Sequence, residues 1–218
     1  MSPKSTSTEP GVRRVDVGWD RVEGWISRFE SRHPGTVWHF GPHEVSARSP
    51  DGTRTRFDVP FSDDTSGPQS LEQLVVHLRH PRQLGVVLVR RGGFAIAHVA
   101  GAEIGETKVG QRHVQSRSKA GGWSQQRFAR RRDNQAAQAF DAAAEHARRI
   151  LLPHVRELDL LGVGGDRAAL THVLAHSRLG SLADVQQRWL DGVPDPRREV
   201  LMAVVERLRS VTMEITDP

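Results

Sequence analysis

Apolar residues in the first eighty positions alternate between helical and strand periods. Residues 20–32 place apolar side chains at helical spacing behind a possible Asp20 cap, which predicts a helix. Residues 36–61 show strand-like alternation on both sides of a turn at 50–52, which predicts two strands. After a polar loop, residues 71–80 return to helical spacing and predict a short amphipathic helix.

The remainder of the chain alternates strands with helices. Glycine-containing turns separate three apolar runs, which predict a strand meander over 84–90, 93–100 and 102–115. A long helix is predicted from about Ser124 to Leu152, because its apolar residues form one stripe. A strand, a helix, a short strand, a helix and a final strand follow at 157–165, 166–176, 184–193, 195–210 and 211–216. This order predicts an α/β (α+β) fold, in which flanking helices cover a mixed β-sheet.

The domain organisation is predicted to be simple. Residues 1–14 are polar, lack the apolar core of a signal peptide and are predicted to form a disordered N-terminal lead. Residues 15–218 are expected to form a single domain. No apolar run is long enough to cross a bilayer, so we expect no membrane partner. The absence of cysteine excludes disulfides and thiolate chemistry and fits a cytoplasmic location.

The formal net charge of +5 comes from one segment of the chain. Residues 108–132 contain eight lysine and arginine residues and no acidic residue. Removing these eight from the 31 basic residues leaves 23, against 26 acidic residues, so the rest of the chain is slightly acidic. A local basic segment without interleaved acids is typical of a polyanion site, whereas a solvated helix face usually contains i,i+4 ion pairs. We assign polyanion binding to Arg112, Arg117, Lys119, Arg127, Arg130 and Arg131.

Several other chemistries have little support in the sequence. No His-x-x-x-His pair sits on a predicted helix beside a glutamate, as a zinc protease requires, and His43–Glu44 lies in a predicted strand. Residues 162–170 follow a strand and begin a helix, but they have neither dinucleotide-binding spacing nor a Walker lysine. Glu157 and Asp159 are not convincingly paired with the further carboxylates that a two-metal nuclease uses. We therefore expect no metal ion and no cofactor.

The segment SKAGGWSQQRFARRRDNQ, residues 118–135, combines a flexible turn with a basic helix. Gly121 and Gly122 allow the backbone to leave ordinary φ/ψ space and approach a ligand closely. Ser124 is a suitable N-cap for the helix that follows. In that helix, Arg127 would share one face with the arginines three and four positions later, and that face could contact phosphates.

Two glutamines follow this possible cap. Gln125 and Gln126 would occupy the first helical turn, where free backbone N–H groups point outward. A glutamine amide cannot serve as a general base at neutral pH, but it can orient a water molecule and donate to a developing oxyanion. Such an arrangement suits an activated ester that is already held nearby. The simpler interpretation is a glycine turn capped into a surface helix, with Trp123 packed against the protein.

The longer stretch HVQSRSKAGGWSQQRFARRR resembles the catalytic loop and following helix of the eukaryotic and archaeal class-I peptide release factors. That family has Gly-Gly-Gln, then Ser, then an Arg-Phe-Ala-Arg helix start. The residues of this chain that match without gaps are Gly121, Gly122, Ser124, Arg127, Phe128, Ala129 and Arg130. Trp123 stands where that family has its catalytic glutamine. The later glutamines and the following Asp133–Asn134 make the segment most similar to the Vms-like release factors (VLRF), specifically their actinobacterial branch.

The resemblance implies a fold, a loop and a substrate. The implied fold is an RNase H-like mixed β-sheet of the release-factor catalytic-domain type, with the catalytic loop at residues 110–126. The implied reaction is hydrolysis of the ester in peptidyl-tRNA on a stalled large ribosomal subunit, which makes peptidyl-tRNA and rRNA the partners. We expect a monomer. Because no codon-reading domain is visible, we expect rescue-type release rather than stop-codon recognition.

The shifted motif leaves three choices open within this reading. Gln125 directly follows the serine, as in the Gly-Ser-Gln form of the VLRF loop, so it is favoured as the catalytic residue. Gln126 is the alternative. Trp123 either stacks on the terminal adenosine of tRNA or anchors the loop. Two other functions also stay open: a non-catalytic ribosome- or tRNA-binding module, and a nuclease that acts at the tRNA acceptor end.

Overall fold

The structure is a computed structural model that describes residues 11–62, 67–111 and 123–218; for 123–136 and Ser177 it describes the backbone without the side chains. These residues form ten strands and five α-helices. The strands are β1 (Val12–Gly18), β2 (Val37–Phe40), β3 (Glu44–Arg48), β4 (Arg54–Asp58), β5 (Gln83–Arg90), β6 (Gly93–Ala100), β7 (Glu103–Gln111), β8 (Leu160–Gly165), β9 (Gln187–Leu190) and β10 (Ser210–Thr216). The helices are α1 (Val22–Arg32), α2 (Leu71–Arg79), α3 (Trp123–Leu151), α4 (Arg167–Leu174) and α5 (Arg198–Leu208).

The chain divides into two compact units, Met1–His80 with Glu206–Pro218, and Pro81–Val205. We expected one domain over 15–218. The division arises because β10, at the end of the chain, pairs with β1 and β4 and builds a second sheet around them. The predicted lead also differs: residues 12–14 belong to β1, while residues 1–10 lie outside the described part of the chain.

The sheet of the first unit has the strand order β1-β10-β4-β3-β2, and all of its pairs are antiparallel. The turn predicted at 50–52 joins β3 to β4, and Gly52 adopts a φ of +96° there. The sequence predicted one strand before this turn, but the structure has two. They are separated because the chain turns back at Gly41, whose N–H donates to the Glu44 carbonyl (2.8 Å). Asp20 lies in a 3-10 turn and does not cap α1, whose N-cap position is Arg21.

The second unit contains the predicted mixed sheet, with the order β7-β6-β5-β8-β9. The meander β5–β6–β7 is antiparallel, whereas β8 and β9 are parallel to β5. The central strands β5 and β6 are almost continuously buried, which is the pattern of strands covered on both faces. The predicted mixed α+β fold is confirmed, and the RNase H-like topology stays a prediction.

Helix α3 packs across this sheet through a stripe of small and branched residues. Its buried residues include Ala143, Ala147 and Ile150, which pack in one core with Ile96 and Leu161 of the sheet. The stripe that the sequence predicted is therefore present in the described half of the helix. The alanines matter because a side chain of one carbon lets the helix backbone lie close to the strands.

The direction of α3 follows from its contacts with β5 and β6. The His146 ring packs tilted against the Phe94 ring, with the ring centroids 5.5 Å apart, and the Phe94 backbone pairs with Val89 near the carboxyl end of β5. Leu151 instead lies over Gly85, at the beginning of β5. The helix therefore runs antiparallel to β5, and its first residue lies about 35 Å from His146 along the helix axis. The N-terminal half of α3 points past the carboxyl edge of the sheet.

Gly165 allows a tight exit from β8 at that edge. It has a φ of +109°, and a β-carbon at this position would clash with the Val89 carbonyl oxygen. We expect Gly165→Ala to lower the free energy of unfolding by roughly 1–3 kcal/mol from backbone strain, with a further loss from displacing β5. Gly180→Ala is the matched control, because a β-carbon there meets no atom within 4 Å. Equal urea midpoints for the two variants would contradict this account of the β8 exit.

Candidate functional site

The predicted site residues divide into two groups. Arg112, Arg117, Lys119, Gly121 and Gly122 lie outside the described residues, between the end of β7 and the start of α3. The others lie in the first turns of α3, in order Trp123, Ser124, Gln125, Gln126, Arg127, Arg130 and Arg131. The helix begins at Trp123, so Ser124 is its second residue instead of the cap that the sequence suggested. Boundaries of this kind shift by a residue or two with the criterion used.

The helical backbone relates these positions to one another. Positions 127, 130 and 131 follow the i, i+3, i+4 pattern and fall on one face of α3. Gln125 and Gln126 are neighbours in the first turn, so their positions are about 100° apart around the axis. The two glutamines therefore cannot occupy equivalent places around the helix axis.

The strand ends show where the segment that precedes this helix begins. β7 ends at Gln111, whose register partner is Gly93, and Gly93 also pairs with Arg90 at the end of β5. Gly165, at the end of β8, lies alongside Val89. The carboxyl ends of three strands thus share one edge, and the segment that the sequence predicts to be catalytic follows β7 from that edge. In open α/β sheets, ligands usually bind outside the carboxyl ends of the strands.

Arg90 connects this edge to the segment that follows β9. Its Nη1 donates to the Val193 carbonyl (2.8 Å), and its Nε lies 3.5 Å from the Asp195 carboxylate. The guanidinium is therefore already engaged with protein oxygens. Arg90 thus connects the end of β5 to Val193 and Asp195, and a phosphate could bind its guanidinium only by competing with these contacts.

A guanidinium–indole pair joins the start of α4 to β9. The Arg167 guanidinium lies over the Trp189 ring, 4.1 Å from its centroid, and the indole N–H donates to Asp191 Oδ1 (2.7 Å). Sequence reasoning missed this pair. Arg167 directly follows β8 and Trp189 lies on β9, so the two residues meet because β8 and β9 pair in parallel. No pattern of neighbouring residues in the sequence predicts that strand pairing.

Asp166 caps the N-terminus of α4, which the sequence offered as a possible phosphate-binding turn. Its carboxylate accepts hydrogen bonds from the N–H groups of Ala168 and Ala169 (3.0 and 3.3 Å). The donors that a phosphate would use are thus already occupied by a negative charge. This arrangement agrees with the sequence-based rejection of nucleotide binding at 162–170.

The C-terminal part of α3 contacts β7 through an ion pair and β6 through a pair of rings. Arg149 forms an ion pair with Glu106 of β7 (2.7 Å), and the His146 ring packs tilted against Phe94 of β6. Burial lowers the pKa of His146, and the nearby positive charges of Lys108 and Arg149 lower it further. The imidazole therefore stays neutral near pH 7 and packs as a ring. These contacts help to fix the orientation of α3 on the sheet.

The described residues provide no metal centre. In the ranges that the structure describes, no three His, Asp or Glu side chains come together as possible metal ligands. Asp159, a carboxylate that a nuclease could have used, accepts a hydrogen bond from the Gln83 N–H (2.7 Å) and lies 3.5 Å from Arg82. It thus has a structural role at the start of β5. No described helix combines the length and the apolar character needed to span a membrane.

Comparisons were made with curated proteins and with solved structures. No curated protein matches this chain at a significant level. Among solved structures, the archaeal translation termination factor aRF1 aligns with a TM-score of 0.38 and 17% identity, over 75% of this chain and 51% of that chain. A structure described as an archaeal protein aligns with a TM-score of 0.33 and 14% identity, over the same shares. The chain spans about half the length of both.

The family comparison covers the segment at residues 118–135. The sequence model of the Actinobacteria/chloroflexi VLRF1 release factor matches residues 82–214, which is more than half of the chain. This match confirms the resemblance that the stretch HVQSRSKAGGWSQQRFARRR indicated. The chain belongs to the Actinobacteria/chloroflexi VLRF1 release factor family.

Proposed function

We propose that this protein is a peptidyl-tRNA hydrolase of the release-factor type, which frees nascent peptides from tRNA on stalled ribosomes or large subunits in the cytoplasm. The observation that carries the proposal is the Gly-Gly-Trp-Ser-Gln-Gln sequence at the start of a basic helix, in a chain that belongs to a release-factor family. The proposed partners are peptidyl-tRNA and rRNA. We propose that the protein acts as a monomer.

The proposed chemistry is attack of water on the ester carbonyl carbon. A bond forms between the water oxygen and this carbon, and the bond from the carbon to the ribose oxygen of the terminal adenosine breaks. The Gln125 amide oxygen would accept a hydrogen bond from the attacking water and orient it. Because an amide does not take up a proton at neutral pH, the water proton passes to the departing ribose oxygen or to solvent. Backbone N–H groups at the helix start would stabilise the oxyanion.

The basic face of α3 would hold the substrate in place for this reaction. Positions 127, 130 and 131 lie within about two turns after Gln125, so phosphates bound there would remain near the reacting ester. Holding the ester beside an oriented water supplies much of the rate enhancement that a weak amide group cannot supply by proton transfer. Trp123 would stack on the terminal adenosine or anchor the loop.

Charged tRNA separates this proposal from the two alternatives. We expect peptide or aminoacyl release with the tRNA intact, and we expect release to continue after divalent ions are chelated in a ribosome-free assay, because an oriented water needs no metal. The readouts are liberated peptide and tRNA length on a denaturing gel. Shortened tRNA, or activity restored by one specific metal, would indicate the nuclease. Binding without any product would indicate the non-catalytic module.

The two glutamines can be tested by single substitutions. We expect Gln125→Ala to lower the single-turnover rate of peptidyl-tRNA hydrolysis roughly a hundredfold, about 3 kcal/mol, with binding almost unchanged, because its contact operates mainly in the transition state. Gln126→Ala is the matched control and should cost much less. Gly122→Ala should also slow the reaction, since alanine restricts the turn. An inactive Gln126→Ala beside an active Gln125→Ala would move the assignment by one residue, and two active variants would remove it.

The basic face of α3 can be tested through salt dependence. We expect Arg130→Ala/Arg131→Ala to weaken RNA binding and to make log Kobs fall less steeply with log salt, because the slope scales with the number of phosphates that the protein neutralises. Arg28→Ala/Arg32→Ala removes the same charge from exposed positions on α1 and is the control. Binding is measured by fluorescence anisotropy between 50 and 200 mM salt, roughly the range over which such contacts weaken most. A slope equal to that of the control would disprove phosphate binding at this face.

A further inference from the structure

One phenylalanine ring contacts both the strand that precedes residues 112–122 and the helix that follows them. Phe94 of β6 is the register partner of Gly110 on β7, and a β-carbon at Gly110 would clash with the Phe94 ring. The same ring packs against His146 of α3, with the centroids 5.5 Å apart and the planes tilted by 30°. Phe94 is buried, so this contact belongs to the core of the second unit. It joins the end of β7 to α3.

The position of the first turn of α3 is sensitive to how the rest of the helix packs. Among the side chains of α3 that the structure describes, the buried ones lie between Ala139 and Leu151, whereas the helix begins at Trp123. At about 1.5 Å per residue, Trp123 lies roughly 24 Å from Ala139 along the axis. A tilt of about 3° at Ala139 would therefore move the first turn by roughly 1 Å. A misplacement of about 1 Å can slow an enzymatic reaction about a hundredfold.

His146 is the titratable side chain in the contact with Phe94. Within the part of the chain that the structure describes, its Nδ1 atom is buried and has no hydrogen-bond partner. In the neutral imidazole one ring nitrogen carries no proton, and Nδ1 can take that role. A protonated ring would instead place an N–H group at Nδ1, and a buried donor without an acceptor is costly. The ring contact is therefore made by the neutral form.

The charges around His146 also disfavour a proton on its ring. Burial has the largest effect in lowering the pKa of His146, and the positive charges of Lys108 on β7 and Arg149 on α3 lower it further. β6 contributes an uncharged aromatic ring to this contact. Two carboxylates act weakly in the opposite direction, and each already pairs with an arginine of α3, at 2.6 and 2.7 Å: Glu145 and Glu106.

We propose that His146 is a positioning residue for the hydrolysis: its neutral ring holds α3 against Phe94 and the end of β7, and protonation breaks this contact and misplaces the first turn of α3. The inference rests on the proposed function. The proposed chemistry contains no group that titrates near neutral pH, because a glutamine amide takes up no proton there. A loss of activity at acid pH that depends on residue 146 would therefore report the position of the helix.

The sign of the pH dependence follows from the lowered pKa of His146. The unfolded chain binds a proton at this ring more readily than the folded protein does. The stabilisation from the neutral ring is therefore present above the ordinary histidine pKa of about 6.5, and it is lost as the pH falls below that value.

The test compares three variants with the parent. His146→Phe keeps a ring against Phe94 but cannot take up a proton, whereas His146→Ala removes the ring. His172→Ala is the matched control, because His172 of α4 contacts Phe140 of α3 at the same centroid separation of 5.5 Å. The single-turnover rate of peptidyl-tRNA hydrolysis is measured with saturating protein between about pH 5 and 8, the range in which histidines titrate. RNA binding and the urea midpoint are measured separately.

Near neutral pH we expect His146→Ala to slow hydrolysis roughly ten- to a hundredfold with RNA binding unchanged, because the ring acts on position and not on affinity. His146→Phe and His172→Ala should keep nearly the parent rate. Below about pH 6.5 the parent should become slower relative to His146→Phe. This ratio cancels any dependence on hydroxide that the two proteins share. A ratio that does not change with pH, or an equal loss in His172→Ala, would overturn the proposal.

Two further measurements distinguish a failure of this inference from a failure of the proposed function. In an NMR titration, the histidine signal that is lost in His146→Phe should give a pKa below about 6.5. Hydrogen exchange of peptides covering residues 108–130 should be faster in His146→Ala than in the parent at neutral pH. If both results hold in a protein that does not hydrolyse peptidyl-tRNA, the proposed function fails and the role of His146 in placing α3 stands. An ordinary or raised pKa, or unchanged exchange, would disprove that role.

Discussion

The packing of α3 onto the mixed sheet is the constraint on which the candidate site depends. Ala143 and Ala147 are fully buried against the core formed with β5, β6 and β8, and they leave no room for larger side chains. The contacts of His146 and Leu151 then set the direction of the helix. Because the helix is continuous from Trp123 to Leu151, its C-terminal half determines where its first turn lies. A remote alanine stripe thus controls the position of the glutamines.

The composition of the first turns of α3 opposes helix stability. The N-terminus of a helix carries a partial positive charge, which acidic side chains stabilise and basic ones do not. Here the first turn contains no acidic residue, and Arg127, Arg130 and Arg131 follow closely. Both the helix dipole and the side chains therefore favour a bound anion. The preference for acidic residues in the first helical turn is therefore not followed where a phosphate-rich substrate is proposed to bind. Departures from such local preferences are expected at functional sites.

Apolar sequence patterns predicted most strands and helices of the second unit, because each of these patterns lies within a single strand or helix. The alanine stripe of α3 and the apolar runs of β5, β6 and β8 are visible directly in the sequence. The first unit was harder, because β1 and β10 pair Val12 with Thr216, and neighbouring residues along the chain give no sign of that contact. Arg167 and Trp189 were missed for the same reason. For the candidate site, the sequence pattern indicated the segment at residues 118–135. Trp123 stands at the motif position where a glutamine is expected, and the glutamines come later. The choice between Gln125 and Gln126 therefore depends on chemistry that hydrophobic periodicity does not report.

The proposed function separates binding from chemistry along α3, and this separation would bear on specificity. Arginine contacts to phosphates are independent of sequence, so any RNA would satisfy positions 127, 130 and 131. Under the proposal, discrimination would come from the first turn, where an oriented water and free N–H groups would act on an ester that uncharged RNA lacks. Additional arginine contacts elsewhere on the chain would raise affinity for all RNA equally. A chain that works in this way would bind RNA broadly and select its substrate at the chemical step.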